Sequence, residues 1–330
     1  MSRKLKYSEA INEGLAQAMR KDGTIFVMGC GVDDEGGIFG TTLEAYKLFG
    51  PKRVIDTPLA ENAVTGIGVG AAIMGKRPVI VHARNDFLLM AMDQIVNHAA
   101  KWNFMSGGRL KCPLVVRAIV GRGWGQAAQH SQSLQALFSH VPGLKVALPS
   151  DAFDAKGILI ASLKDNETVI IFEHRLLYNL ESDVPEEPYC VQLGQGKICK
   201  KGKDVTVVAF SYMVKEALEA AAILTAEGID IEVIDPRCST PLDINLIYNS
   251  VVKTARLVVL DTGWKSFGIS AEIIAKVAER KELGFNVSFD RIGLPNYSTP
   301  CASNLEKVYY PGTFEILNSI RKMCKGEAKV

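Results

Sequence analysis

The sequence VIDTPLAENAVTGIGVGAA, from Val54 to Ala72, contains a β-type run that stops at Pro58 and is followed by small residues at helical spacing. A single carboxylate, Glu61, stands at the change from strand to helix. Ligands of open parallel sheets bind beyond the carboxyl ends of the strands, so an acid at this point is a candidate functional residue. The stretch therefore predicts a strand–helix unit with a site at its junction.

Short apolar runs alternate with helical patterns through the first half of the chain. Near-continuous apolar strands separated by helices indicate an α/β fold, with a parallel sheet covered by helices on both faces. The predicted strands are 24–29, 53–56, 78–83, 113–119, 144–149 and 168–174. The predicted helices are 61–74, 90–103 and 152–164, after a first helix capped by Ser8 that buries Ile11, Leu15 and Met19.

A polar, proline-bearing passage from 179 to 203 divides the chain. We predict a first domain over residues 1–185, a linker over 186–203 and a smaller α/β domain over 204–330. Strand and helix patterns alternate again in this second domain. They cover residues 204–210, 213–227, 229–235, 256–263, 270–280 and 287–293.

The composition argues against several classes of function. With 38 basic and 36 acidic residues the net charge is +2, which indicates neither a nucleic-acid-binding surface nor a patch for acidic membranes. No apolar run reaches the roughly 18 residues that cross a bilayer, and no signal-peptide core is present. Seven cysteines without a CxxC pair fit neither a disulfide framework nor a zinc site. We expect a cytoplasmic protein that binds no nucleic acid and no membrane.

Three interpretations of Glu61 are open on the residues alone. An acid in the first turn of a helix is favoured by the helix dipole, so capping by itself explains Glu61. The run GIGVGA (66–71) formally matches the dinucleotide fingerprint GxGxxA, but it lies inside the predicted helix rather than directly after the strand. We expect these small residues to let the helix approach a neighbouring backbone closely. In the third interpretation a desolvated carboxyl group shares a proton with a heterocyclic nitrogen.

The loop VGRGWGQAAQHSQ (120–132) carries the second candidate, His130, directly after Gln129. A glycine-rich loop that leaves a strand end with one histidine is typical of a substrate-facing loop. Alternatively, His130 orients a helix that begins near Ser131. The other histidines are not grouped at metal-ligand spacing and are interpreted as structural: His82, His98, His140 and His174.

Several stretches together carry a family resemblance: DTPLAE (56–61), GIGVGAA (66–72), 91–108, 129–159 and PLDINLI (241–247). The chain resembles the β subunit of thiamine-diphosphate-dependent 2-oxo acid dehydrogenases, the pyruvate, branched-chain and acetoin dehydrogenase group of the transketolase superfamily. The resemblance covers nearly the whole chain. It implies a pyrimidine-binding domain followed by a transketolase C-terminal-type domain, and decarboxylation of a 2-oxo acid with acyl transfer to lipoamide.

The resemblance also implies residue roles. It places Glu61 as the glutamate that hydrogen-bonds N1′ of the coenzyme's aminopyrimidine and thereby activates the coenzyme, which requires a dry environment. It places His130 as the residue that orients the substrate carboxylate and handles a proton near the reacting carbonyl, with Gln129 beside it as a substrate residue. The wall of the pyrimidine pocket is implied at Leu59, Ala83 and Phe87.

A missing motif implies a partner. The superfamily binds the diphosphate and Mg²⁺ through a GDG motif followed by an asparagine, and this chain has no GDG. The resemblance therefore implies that an α subunit supplies that half of the site in an α₂β₂ heterotetramer, which in turn docks to a dihydrolipoyl acyltransferase core. The stretch 162–167 corresponds to a region that holds K⁺ in some relatives, with Leu163 and Asp165 as candidate ligands.

The chain departs from the family pattern near the expected site. Cys30 stands where an acid is common, and Arg84 and Asp86 stand near the expected entrance. If Arg84 faces the pocket it favours a substrate with an additional anionic group, whereas a plain surface charge is the alternative. Alternative functions are a ketol or acyloin transferase of the split-transketolase kind that uses a non-lipoyl acceptor, a catalytically silent docking subunit, and a dinucleotide-dependent oxidoreductase.

Overall fold

The computed structural model describes residues 2–34, 36–280 and 287–325, and its contacts divide the chain into two compact units. The first unit comprises Met1–Arg122 and Leu137–Leu193, and the second comprises Gly123–Ala136 and Gly194–Val330. The sequence analysis predicts two continuous domains, whereas loop 123–136 lies in the second unit of the structure.

Hydrogen bonds within the second unit explain this assignment. The backbone N–H of Gly123 donates to Oε1 of Glu306 at 2.8 Å. The buried Gln135 donates from Nε2 to Oδ1 of Asp261 at 2.7 Å. These bonds hold both ends of the loop to the second unit. Polar contacts of this kind leave no hydrophobic pattern in the sequence, so the sequence analysis did not predict them.

Strands and helices alternate along the chain. Up to residue 193 the elements are β1 (Ser2–Lys6), α1 (Tyr7–Lys21), β2 (Ile25–Gly29), α2 (Gly37–Gly40), α3 (Leu43–Phe49), β3 (Val54–Asp56), α4 (Glu61–Ile73), β4 (Arg77–His82), α5 (Trp102–Met105), β5 (Val115–Val120), α6 (Ala127–His130), α7 (Gln135–Ser139), β6 (Leu144–Ala147), α8 (Ala152–Lys164), β7 (Thr168–His174) and β8 (Glu181–Pro185). The later elements are β9 (Lys197–Lys200), β10 (Val205–Ala209), α9 (Tyr212–Ala226), β11 (Ile231–Asp235), β12 (Cys238–Thr240), α10 (Ile244–Thr254), β13 (Arg256–Trp264), α11 (Ile269–Ala278), β14 (Ser288–Leu294), α12 (Ser303–Tyr309) and α13 (Thr313–Cys324).

The first unit is built on a parallel sheet. Its strands lie in the order β6, β7, β5, β4, β2 and β3, and each neighbouring pair is parallel. Every residue of β5 and β7 is buried, as expected for central strands covered on both faces. The predicted α/β fold with a parallel sheet is confirmed. Strands β1 and β8 form a separate antiparallel ribbon.

The second unit has its own sheet, in the order β14, β13, β10, β11 and β9. Only β9 is antiparallel to its neighbour among these pairs. Strand β9 lies at the edge of this sheet and falls within residues 186–203, which the sequence analysis predicts as the linker. None of its four residues is buried, so it gives little apolar signal and the sequence did not predict it. Apolar side chains of β10, β11, α9 and α13 form the core.

The first helix differs from its prediction at one end. It begins at Tyr7, so the predicted cap Ser8 lies inside it and donates from Oγ to the carbonyl oxygen of Tyr178 at 3.1 Å. The predicted buried face is confirmed by Ile11, Leu15 and Met19.

The predicted helix 90–103 is also not a single α-helix. A 3₁₀ segment (Asn85–Ala91) and a π-helical segment (Asp93–Ala99) precede the short helix α5. Each backbone hydrogen bond of a π-helix spans one residue more than that of an α-helix. The apolar spacing of the sequence does not reveal this difference. Within the described ranges, no helix combines the length and apolar character needed to span a membrane.

Two glycines allow close packing beside β4. A Cβ atom on Gly68 of α4 would lie 2.9 Å from Cδ1 of Ile80, so this glycine lets the helix pack closely against a side chain of β4. The sequence analysis expected a close approach to a neighbouring backbone instead. A Cβ atom on Gly29, at the end of β2, would lie 2.5 Å from the carbonyl oxygen of Val81. That atom belongs to the backbone and cannot rotate away.

Two buried histidines end the central strands. His82 ends β4 and His174 ends β7. Burial lowers the pKa of His82 to about 4. Burial, together with the positive charge of Arg122, lowers the pKa of His174 to about 3. Both imidazoles are therefore neutral in the folded protein at neutral pH.

Replacement of Gly29 by alanine should destabilise the first unit. The added methyl group collides with the backbone of β4, and overpacking of this kind costs about 1–3 kcal/mol. Chemical unfolding of Gly29→Ala measures the loss. The control is Gly23→Ala, because a Cβ there has open space. Equal stability of the two variants would contradict the packing argument.

Stability should fall as the pH drops from about 6.5 towards 4. The folded-state pKa of His82 lies below its unfolded value, so the unfolded chain binds more protons in this window and the contribution present above pH 6.5 is lost. His82→Asn should remove about 3 kcal/mol of this dependence, measured as the free energy of unfolding at several pH values. The exposed His140 supplies the control His140→Asn. An unchanged pH dependence in His82→Asn would refute the prediction.

Candidate active site

A cavity of about 130 Å³ lies at the carboxyl ends of β2, β3 and β4. It is formed by the segments that leave these three strands and by the first turns of α4. Its lining residues are Gly29, Cys30, Thr57, Pro58, Leu59, Ala60, Glu61, Val64, Ile80, Val81, His82, Ala83, Arg84 and Phe87. Five residues that the sequence predicted for one site are thus brought together: Leu59, Glu61, Ala83, Arg84 and Phe87.

Glu61 is the first residue of α4 and lines the cavity. Its position satisfies both the capping and the ligand-binding interpretation, since a helix N-terminus attracts an acid and the same turn opens into the cavity. Among the described lining residues it is the only carboxylate. In the single chain Glu61 is partly exposed, whereas the resemblance calls for a dry environment.

The walls of the cavity are mainly apolar. Val64 and Ile80 are buried beneath it. At its rim, Leu59 is 80% exposed and Phe87 is 37% exposed. Large apolar side chains this exposed beside a cavity are available for contact with a ligand or with another chain.

Two cavity residues with ionisable side chains, His82 and Cys30, were not predicted as site residues. His82 was interpreted as structural, yet it lines the cavity, with its Nε2 atom 3.4 Å from Oγ1 of Thr65. Its place at the end of a predicted strand was the signal that could have identified it. Cys30 also lines the cavity, and burial and the nearby charges of Asp56 and Glu61 raise the pKa of its thiol.

Arg84 follows β4 and lines the cavity, so it is not only a surface charge. Its Nη1 atom donates to the carbonyl oxygen of Ala83 at 2.6 Å. Its guanidinium carbon lies 5.5 Å from the centre of the Phe39 ring, and that of Arg175 lies 3.9 Å from the same centre. Burial lowers the pKa of Arg84, and the positive charge of Arg175 lowers it further.

The other two candidates belong to the second unit. Gln129 and His130 end the short helix α6. Gln129 is exposed and His130 is partly exposed. Their roles beside the cavity of the first unit stay predictions.

The predicted potassium ligands contact protein cations. The carbonyl oxygens of Leu163 and Asp165 accept from Nη1 of Arg77 at 3.1 and 2.6 Å. The Asp165 carboxylate accepts from Nζ of Lys145 at 2.6 Å. In the part of the chain that the structure describes, no group of three or more histidine, cysteine or acidic side chains is arranged to hold a metal ion.

Two family profiles match the chain. One is described as "Transketolase, pyrimidine binding domain" and covers residues 3–181; the other is described as "Transketolase, C-terminal domain" and covers residues 194–316. The chain is similar in structure to a split-gene transketolase solved as an inactive beta4 tetramer, with a TM-score of 0.80 over 97% of this chain and 98% of that chain. At 21% sequence identity this likeness shows the fold alone.

Curated relatives match over nearly the full length. The chain is 41% identical to the beta subunit of acetoin:2,6-dichlorophenolindophenol oxidoreductase from Cupriavidus necator, over 99% of both proteins. It is also 41% identical to the pyruvate dehydrogenase E1 component subunit beta of Rickettsia bellii, over 96% of this chain and 97% of that protein. These relatives favour the dehydrogenase over the ketol or acyloin transferase. The chain therefore belongs to the transketolase superfamily, in the family of β subunits of thiamine-diphosphate-dependent 2-oxo acid dehydrogenases.

Proposed function

We propose that this chain is the subunit that activates thiamine diphosphate through Glu61 in a decarboxylating 2-oxo acid dehydrogenase. The observation that carries the proposal is the cavity beside α4, in which one carboxylate faces apolar walls. A cavity of about 130 Å³ is smaller than the roughly 300–1,000 Å³ of pockets that hold a whole ligand. It suits one ring of a coenzyme better than the complete molecule.

The lining residues fit the aminopyrimidine end. Glu61 offers a hydrogen-bond acceptor to a ring nitrogen and can hold the shared proton there. Leu59, Ala83 and Phe87 supply apolar area against the ring and exclude water from this hydrogen bond. When bound, the coenzyme supplies a carbon nucleophile for attack on the 2-oxo group.

The diphosphate end calls for a second chain. The described lining residues include one acid and no cluster of oxygen ligands, so the donor set does not fit Mg²⁺. We propose that an α subunit provides the diphosphate and Mg²⁺ site and also covers Glu61. A potassium ion near Leu163 and Asp165 remains a prediction, and no step of the mechanism depends on it.

One face of α4 supports such a partner. Small or apolar exposed residues recur there at helical spacing: Ala63, Ile67 and Gly70 within α4, and Met74 directly after it. Met74 is 82% exposed. An apolar helix stripe beside the cavity suits a neighbouring subunit that also completes the site. We propose the α subunit as this neighbour in an α₂β₂ heterotetramer.

Three finer statements complete the proposal. His130, with Gln129 beside it, orients the substrate carboxylate and handles a proton near the reacting carbonyl. The heterotetramer docks to a dihydrolipoyl acyltransferase core, which accepts the acyl group. The protein acts in the cytoplasm, which suits an odd number of cysteines without paired spacing.

Glu61→Gln should lower kcat of the reconstituted αβ complex by about three orders of magnitude or more, because loss of a general acid–base group costs on the order of 10²–10⁴-fold. Steady-state turnover of a 2-oxo acid with an artificial electron acceptor measures the effect. The control is Glu44→Gln, since Glu44 pairs with Arg20 on the surface of the same unit. A rate close to wild type would instead support the silent docking subunit.

His130→Ala should raise KM for the 2-oxo acid more than it changes the Kd of thiamine diphosphate. The proposed role of His130 concerns the substrate carboxylate, so coenzyme binding should be nearly unaffected. Steady-state kinetics and a coenzyme titration of the same reconstituted complex give the two values. Weakened coenzyme binding with an unchanged KM would contradict this role.

A further inference from the structure

His82 is a polar residue of the cavity that the proposed function does not yet use. It is the last residue of β4 and lines the cavity together with Glu61. The side chain is buried, with 6% of the residue exposed. A polar group buried this far needs hydrogen-bond partners, because it has lost its contact with bulk water. The partners of its two ring nitrogens therefore indicate what it can bind.

One face of α4 covers the end of β4 and reaches His82. Glu61, Thr65 and Gly68 lie on this face, since residues three and four positions apart share one side of a helix. Ile80 and His82 share one face of β4, since side chains alternate along a strand. Gly68 packs against Ile80, and Oγ1 of Thr65 lies 3.4 Å from Nε2 of His82. One turn of α4 thus separates the contact of His82 from Glu61.

The contact with Thr65 determines which ring nitrogen carries the proton. Burial lowers the pKa of His82 to about 4, so the neutral ring has one N–H donor and one acceptor nitrogen. Thr65 is fully buried, and within residues 2–34, 36–280 and 287–325 its hydroxyl has His82 as its only hydrogen-bond partner. A buried hydroxyl proton requires an acceptor. The Thr65 hydroxyl therefore donates to Nε2, and the proton of the ring lies on Nδ1.

The Nδ1–H group of His82 is available to a bound molecule. Among the residues that the structure describes, no atom accepts a hydrogen bond from Nδ1. The residues on either side, Val81 and Ala83, also line the cavity, and their apolar side chains offer no acceptor. An N–H donor that stays unpaired in a buried place costs free energy. A ligand in the cavity can supply the acceptor.

An aminopyrimidine ring has the atoms that match this donor. Its two ring nitrogens are N1′ and N3′, and in the proposed function Glu61 shares a proton with N1′. The lone pair of N3′ is then the ring acceptor that remains for an N–H donor. A carboxyl group and an imidazole N–H in one cavity therefore suit the two nitrogens of one heterocycle.

We propose that His82 is the second polar residue of this chain that binds the coenzyme, with its Nδ1–H group donating a hydrogen bond to N3′ of the aminopyrimidine. The inference rests on the proposed function and deepens it, since it adds a residue that recognises the ring by its second nitrogen. The competing explanation is a structural histidine that only fills the space between α4 and β4.

The first experiment measures the Kd of thiamine diphosphate in the reconstituted αβ complex. His82→Phe keeps a flat ring but removes both nitrogens, so the Kd should rise about tenfold. His82→Asn keeps an N–H donor close to the position of Nδ1, so its Kd should stay within about threefold of wild type. A structural role predicts the reverse order, because phenylalanine fills the space better than asparagine does.

The control for this experiment is His140→Asn, which replaces an exposed histidine of the same unit and should leave the Kd unchanged. A Kd of His82→Phe equal to that of wild type would overturn the proposal. So would a Kd of His82→Asn that rises as much as that of His82→Phe, since the donor alone would then make no difference.

The second experiment assigns the hydrogen bond to a ring atom. It uses two analogues of thiamine diphosphate in which carbon replaces either N3′ or N1′. The wild-type complex should bind the analogue without N3′ about tenfold more weakly than thiamine diphosphate, and His82→Phe should bind the two equally. The loss of affinity on removal of N1′ should be the same in both proteins. If His82→Phe changes the loss for N1′ and not the loss for N3′, the proposed bond is wrong.

The results separate this inference from the proposed function. Turnover of a 2-oxo acid that Glu61→Gln abolishes, with coenzyme binding unaffected by His82→Phe, would support the proposed function and refute the hydrogen bond. Coenzyme binding that depends on His82, in a complex that decarboxylates no 2-oxo acid, would refute the proposed function and leave the hydrogen bond standing. A wild-type complex that binds no thiamine diphosphate would refute both.

Discussion

The parallel pairing of β7, β5, β4, β2 and β3 brings five carboxyl ends to one edge of a sheet, and the candidate site is built from the segments that leave that edge. The spacing between β2 and β4 is fixed where Gly29 meets the backbone of Val81. A side chain at Gly29 would push the two strand ends apart. The separation of Glu61 from Arg84 across the cavity therefore depends on a contact that only glycine permits.

Charge is distributed unevenly along this edge. Asp56 and Glu61 leave the β3 end, and their charges act on Cys30. Arginines leave the ends of β4, β5 and β7. The acid of β7, Glu173, is buried in a bidentate pair with Arg117.

The sequence predicted most of the elements that carry the site. The strand 168–174 and the helix 152–164 match the structure at both ends, because buried apolar runs and an acidic cap give clear signals. Polar structure gave no such signal. The edge strand β9 was therefore missed. The π-helical segment Asp93–Ala99 was missed because apolar spacing does not distinguish it from an α-helix.

The sequence also predicted some residues of the candidate site and missed others. Glu61 and the apolar wall follow from a motif on one short stretch and its neighbours. Glu61 and Arg84 come to one cavity only through the strand order β4, β2, β3. Strand order depends on which strands pair, and residue spacing does not contain that information. His82 was missed for a different reason: its place at the end of a predicted strand was a signal, but the sequence analysis interpreted the histidine as structural.

The geometry also bears on the proposed partnership with a second chain. In the proposed function Glu61 exchanges a proton with a weakly basic nitrogen, which requires that water be excluded. The cavity of the single chain, however, leaves Glu61 partly exposed. Leu59 and the outer face of α4 present apolar area at the same rim. A subunit that covers this rim would bury apolar surface and at the same time exclude water from the Glu61 carboxylate. Assembly and activation of the coenzyme are then the same physical event, and an isolated β chain would bind the ring without activating it.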